Sequence, residues 1–151
     1  MKAVIQRVTS ASVRVEDRIL GEIENGYMIL LGVCEGDTRE DAEILAKKTA
    51  NLRVFTDENE KMNKSILDCD YSALVISQFT LCADCKKGNR PSFISAAKPE
   101  IANELYEYFM EQLRAQGVKN VQHGEFGADM KVSLVNDGPV TILYDTTIWR
   151  R

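Results

Sequence analysis

Three short stretches of this 151-residue chain carry residue types that could do chemistry. Ser77-Gln78-Phe79-Thr80 closes an apolar run, which brings hydroxyl, amide and backbone N–H groups to a strand end, where they would suit an oxyanion hole. Cys82-Ala83-Asp84-Cys85 follows at once, with the C-x-x-C spacing of metal or redox sites. Near the C-terminus, Asn136-Asp137-Gly138-Pro139 interrupts strand-like residues on both sides. Locally that is the composition of a hairpin turn. A Gly-Pro peptide held rigidly there would also present fixed carbonyl acceptors.

Each stretch has a plain reading beside the chemical one. Structural zinc uses four protein ligands, and no second C-x-x-C or C-x-x-H accompanies Cys82 and Cys85, so no metal is expected. A redox module would require a Cys82–Cys85 disulfide. With Cys34 and Cys69 there are four cysteines, but no export signal precedes them, so a disulfide framework is not expected. His123, the one histidine, has no serine or cysteine near it in VQHGEFGADM. It is expected at a strand end, held by a backbone group. P-loop, G-x-S-x-G, H-E-x-x-H and G-x-G-x-x-G patterns are absent, and no cofactor is implied. Thr80 is the obvious nucleophile, yet such a hydroxyl needs an adjacent base or its own terminal amine, and SQFTL offers neither.

The elements that must position these residues follow from periodicity. Residues 2–8 and 10–16 alternate with period two, and 18–23 continues the pattern. Glu24-Asn25-Gly26 then reads as a turn before an apolar strand over 27–33, predicting an antiparallel meander. Thr38 to Asp41 resembles a capping box, opening a helix with Ala42, Leu45, Ala46 and Thr49 on one face. Residues 52–55 read as strand, 57–64 as a polar loop and 71–76 as a strand. Pro99 suits a first helical turn. Ile101, Leu105, Phe109 and Leu113 form the next helical face, and Gly117 ends it. Strands are predicted over 118–122, 130–135 and 140–144. The fold class expected is a single α/β domain of mixed, mostly antiparallel layered sheets (β/β/α) with two main amphipathic helices.

Composition sets the partners. Apolar residues at 44% and charged residues at 28% are an ordinary balance for a protein in water. The longest apolar run, Tyr27 to Cys34, is too short to span a bilayer, and MKAVIQRVTSASVRVED is neither a signal nor a transit peptide. No membrane association and a cytoplasmic location are expected. A net charge of −4 argues against a broad nucleic-acid-coating surface. Lys86, Lys87 and Arg90 form a small basic cluster, as do Arg150 and Arg151 at the end.

Taken together, MKAVIQRV, SQFTL, KKGNRPSF (86–93), FGADM (126–130) and NDGPVT (136–141) stand in one order along the chain, and the chain resembles the D-aminoacyl-tRNA deacylase family over essentially its whole length. Two departures stand out: Cys82 where an aromatic is expected after TL, and Cys85 where a hydroxyl residue is usual. The resemblance implies hydrolysis of the ester that joins a D-amino acid, or misplaced glycine, to the 3′-terminal adenosine of tRNA. It implies a homodimer in which Gly138 and Pro139, joined by a cis peptide bond, enter the partner's pocket as a chiral gate, braced by Arg7. Ser77, Gln78, Phe79 and Thr80 would line the reaction centre, with the substrate 2′-hydroxyl assisting. Phe126, Gly127 and Met130 would hold the adenine, and Lys86, Lys87 and Arg90 would meet the acceptor end. A non-catalytic RNA- or adenosine-binding domain, and an esterase with Thr80 as nucleophile, are the alternatives.

Overall fold

Alternating apolar residues from Lys2 to Val15 form one long strand, β1, rather than two. It turns back into β2 (Arg18–Ile23) and β3 (Gly26–Gly32). Ala11 lies opposite Ile23 and Val8 opposite Gly26, which is one continuous register. β2 and β3 are therefore a single returning strand with a local break, and the expected meander turn at Glu24-Asn25-Gly26 is not a turn. Gly26 serves close approach instead: a Cβ there would lie 1.7 Å from the Ser72 carbonyl oxygen at the start of the neighbouring strand. The computed structural model describes residues 1–150, so Arg151 lies outside the described residues.

Helix α1 (Arg39–Ala50) follows, with the Thr38 N–H donating to the Asp41 carboxylate at 2.9 Å and Ala42, Leu45, Ala46 and Thr49 buried. Two short strands, β4 (Phe55–Thr56) and β5 (Met62–Lys64), pair as a small hairpin where strand and polar loop were expected. A single turn, α2 (Ile66–Cys69), leads into β6 (Ser72–Ser77), and helix α3 (Pro99–Gln116) precedes β7 (Val121–His123). β7 is shorter than the predicted 118–122 segment and shifted toward His123, whose Nδ1 lies 2.7 Å from the Gly124 carbonyl oxygen. In α3 the buried face is Ala102, Leu105, Tyr106, Phe109, Met110 and Leu113. Ile101 is instead 48% exposed. The last strand, β8 (Lys131–Asp145), runs through the stretch expected to separate two strands.

The strands form one sheet in the order β2-β1-β3-β6-β7, with β8 on the other edge of β1. β6 pairs parallel to β3 and to β7, and the remaining pairings of this sheet are antiparallel. Side chains alternate between two cores. Ile5, Tyr27, Ile29, Leu31 and Val75 face α1 and α3. Val8, Val13, Met28, Leu74 and Ile76 face the opposite way, onto Ile23, Leu20, Val132 and Leu134 of β2 and β8. The sheet thus curls over itself beneath a helical layer, giving the β/β/α arrangement. Among the described residues, no helix is long and apolar enough to cross a membrane.

Candidate active site

Parallel strands converge their carboxyl ends on one side, where ligands of such sheets characteristically bind. Here β3 and β6 end together, Leu31 opposite Ser77, and a cavity of about 670 Å³ opens beside them. That is within the usual range for a small-molecule site. Ser77, Gln78 and Phe79 form one wall, Phe126, Gly127 and Met130 another, and α3 closes it with Ala102 and Tyr106. Two stretches separated by nearly fifty residues in sequence thus share one cavity.

The wall from β6 is built by a change of backbone. Gln78 leaves the strand while its N–H still donates to Leu31 O at 2.8 Å, and Phe79 to Cys82 form a single 3-10 turn. The N–H groups that open such a turn have no partner within it. Gln78 Nε2 donates to Thr80 Oγ1. Thr80 is exposed and stands beside the cavity rather than in its lining. Phe79 is 56% exposed and meets Phe93 edge to face at 5.0 Å between ring centroids.

The opposite wall is a loop in which Gly127 adopts a φ of +81°. Phe126 rests near Tyr106, with centroids 6.1 Å apart. The Tyr106 hydroxyl donates to Val75 O at 2.8 Å, and burial raises its pKa above the ordinary tyrosine value. Tyr106 and Phe93 were not among the residues anticipated for the site. Tyr106 is not on the helical face that spacing predicts, Ile101, Leu105, Phe109 and Leu113.

Lys86, Lys87 and Arg90 are exposed on an arm whose base is closed by reciprocal backbone bonds of 2.8 Å between Asp84 and Ser92. None of the three joins an ion pair among the described residues. The cysteines depart from expectation. Cys82 is disulfide-bonded to Cys34, with Cα atoms 5.9 Å apart, while Cys69 and Cys85 are free. The sequence could not show this pairing, because the two lie 48 residues apart and meet only where β3 and β6 end side by side.

Gly138 and Pro139 lie elsewhere. Gln6 pairs with Thr141 and Val8 with Asn136, so residues 137–140 bulge out of β8 opposite Arg7 alone. The Gly138–Pro139 bond is cis, and Gly138 has a φ of +130°. Asn136 closes the bulge by donating to Gln6 Oε1 and accepting from Val140 N at 3.3 Å. Arg7, only 9% exposed, braces it: Nε donates to Asp137 O at 3.0 Å and Nη1 to Val54 O at 2.6 Å. Gly138 and Pro139 are exposed and outside the cavity lining of their own chain. Arg7 pairs with Tyr27, four residues before Leu31, which places the bulge about 13 Å from the cavity along the sheet.

Residues 4–145 match the family model described as D-Tyr-tRNA(Tyr) deacylase. A D-aminoacyl-tRNA deacylase of Bacteroides fragilis (strain YCH46) is 58% identical over 146 residues, covering 97% of each chain. One of Bacillus pumilus (strain SAFR-032) is 57% identical, over 97% of this chain and 99% of that one. A solved structure named c-Myc DNA Unwinding Element Binding Protein superposes with a TM-score of 0.91 at 45% identity, over 96% of this chain and 98% of that one. Another, of a probable eukaryotic D-amino acid tRNA deacylase, has a TM-score of 0.79 at 17% identity, over 95% and 97%, a likeness of fold.

Proposed function

Because the chain belongs to the D-Tyr-tRNA(Tyr) deacylase family, we propose that it hydrolyses the ester of D-aminoacyl-tRNA, releasing the free D-amino acid and tRNA. The observation that carries this reading is the shared cavity: Ser77, Gln78 and Phe79 face Phe126, Gly127 and Met130 across it. The second group forms a niche suited to the terminal adenine, which sets the 3′-ester against the first.

Water adds to the ester carbonyl carbon, and the tetrahedral oxyanion is held by the backbone N–H groups of Phe79 and Thr80. The bond from carbonyl carbon to ribose O3′ then breaks, O3′ takes a proton, and the amino acid leaves as its carboxylate. The substrate's 2′-hydroxyl positions or activates the water. Thr80 is a poor nucleophile, since its hydroxyl accepts from the Gln78 amide and, among the described residues, donates to no base. One oxyanion donor is commonly worth about 10²–10³ in rate, so the backbone supplies much of the chemistry.

Handedness is read by Gly138 and Pro139 of a second copy. They are exposed, braced by Arg7 and distant from their own cavity, which favours action across a homodimer. The outer edge of β8, which carries Val135 and Leu143 at 56% and 73% exposure, offers a surface for that pairing. Carbonyls of the bulge hold the substrate amine and leave no room for an L side chain on the same face; discrimination by clash rejects L-esters. Glycine, without a side chain, is admitted. Lys86, Lys87 and Arg90 meet acceptor-end phosphates.

One substitution and one altered substrate test the chemistry. Thr80→Ala is expected to stay within about tenfold of wild type, whereas a substrate ending in 2′-deoxyadenosine is expected to lose most turnover. Near-complete loss in Thr80→Ala, with the 2′-deoxy ester cleaved normally, would return the role of nucleophile to Thr80.

A further inference from the structure

The Cys34–Cys82 disulfide joins parts of the molecule that all border the cavity. Cys82 ends the 3-10 turn that carries Phe79 and Thr80, and it is 2% exposed. Cys34 follows Val33, a cavity residue at the end of β3. Backbone bonds fasten that segment to the 95–97 stretch, where Ala96 and Ala97 line the cavity: Ala97 N donates to Val33 O at 3.1 Å and Glu35 N to Ser95 O at 2.8 Å. Cys34 itself forms a bridge with Ala96, and its N–H donates to Asp37 Oδ2 at 2.6 Å. One covalent bond therefore ties the reaction turn, the end of β3 and the Ser95–Ala97 wall into a frame.

Without it, the turn is held by few contacts. They include the Gln78 N–H to Leu31 O, three bonds internal to the turn (Leu81 N to Gln78 O, Ala83 N to Thr80 O and Gln78 Nε2 to Thr80 Oγ1), the Phe79–Phe93 edge contact and the approach of Leu81 to Gly32. Short turns with few buried contacts open locally at low free energy. We propose that Cys34 and Cys82 are positioning residues whose disulfide braces the reaction turn against the cavity wall, so that turnover depends on thiol redox state. Its effect on turnover rests on the deacylase reading above, whereas the brace itself does not.

The bond is reachable from one side. Cys34 is half-buried and Cys82 is enclosed, so an incoming thiolate attacks the Cys34 sulfur and Cys82 leaves as thiolate, then takes a proton. With a small dithiol, its second thiolate attacks the mixed disulfide and frees Cys34, and the dithiol departs as a cyclic disulfide. Two electrons pass from the dithiol to the two protein sulfurs. A small-molecule disulfide runs the sequence backwards. Cys85, exposed and free, takes no part and serves as the control.

The test uses the full chain, equilibrated with oxidised or reduced dithiothreitol. Disulfides are mapped by peptide mass, amide exchange is followed over residues 78–82, and kcat and KM are measured on a D-aminoacyl-tRNA. Oxidised protein is expected to yield the Cys34–Cys82 linked peptide. Reduction should speed exchange in the turn at least about tenfold. It should also lower kcat roughly tenfold, less than the ~10²-fold that a 1 Å misplacement can cost, with KM and global fold unchanged. Cys34→Ser should show the lower kcat in either buffer, and Cys85→Ser should keep the full redox response. A Cys82–Cys85 bond in oxidised protein, or equal exchange and equal kcat in both states, would overturn the proposal. Absence of ester cleavage in every state would refute the deacylase reading and leave amide exchange to decide the brace.

Discussion

Replacing Arg7 by lysine isolates what the brace contributes to the proposed gate. The guanidinium uses two faces of a planar fork, Nε to Asp137 O and Nη1 to Val54 O, from a side chain that is 11% exposed. An ammonium is a point donor on a flexible stem and cannot reproduce that fork. One charge-assisted hydrogen bond is lost, worth about 1.5–3 kcal/mol. The ion pair to Asp137 Oδ2, at 3.5 Å with that carboxylate 49% exposed, adds little. At 1.4 kcal/mol per decade the loss corresponds to roughly 10- to 150-fold in the population of the held bulge. We expect the ratio of kcat/KM for D- over L-aminoacyl-tRNA to fall about tenfold or more, while denaturant unfolding shows a loss of the same 1.5–3 kcal/mol. The assay is initial-rate deacylation of both enantiomers by matched protein preparations. If stability drops by that amount while the D/L ratio holds within about twofold, Arg7 is a packing residue and the gate does not depend on it.

Two further outcomes follow from charge. If Lys86, Lys87 and Arg90 supply the phosphate contacts, log K for the acceptor end should fall against log salt with a slope of about −2, the value for three contacts to a single strand. A slope several times steeper would place binding on a much larger basic surface. In the second, burial opposes ionisation of Asp41, but the Thr38 N–H, Thr146 and Arg150 outweigh it and hold its pKa below the ordinary carboxylate value. Its stabilisation is therefore present above the unfolded carboxyl pKa, near 3.9, and is lost as pH falls through the lower folded value. Asp41→Asn should remove that part of the acid limb in denaturant titrations and destabilise the protein at neutral pH. An unchanged acid limb would assign it to other carboxylates.

Legibility in the sequence tracked the range of the interactions. The Thr38–Asp41 box is local, and its helix forms where it was expected; the alternation over 2–8 and 10–16 is local too, but it gives one strand in place of two. The α3 face was offset at its start, with Ala102 buried and Ile101 exposed, and apolar spacing alone cannot choose between them. At Asn136 to Pro139 the composition is that of a turn. β1 nevertheless continues opposite, so residues 137–140 bulge around Arg7 instead of ending the strand. The Cys34–Cys82 bond and the place of Tyr106 in the cavity depend on β3, β6 and α3 meeting, which no short-range pattern reports. The candidate site residues stood out only as a set of motifs. That Ser77–Phe79 and Phe126–Met130 share one cavity, while Gly138 stands apart from it, required the fold.

The proposed chiral gate is tested most directly by deacylation of paired D- and L-aminoacyl-tRNAs, with Gly138→Ala beside the wild type. In Gly138 a Cβ would lie 2.8 Å from Val140 Cγ2 and 3.1 Å from Arg7 Nη2, at a φ of +130°, a strain of about 1–3 kcal/mol. We expect wild type to cleave the D-ester and spare the L-ester, and Gly138→Ala to lose much of that preference without unfolding. Equal cleavage of both enantiomers by the wild type would contradict a gate at Gly138 and Pro139.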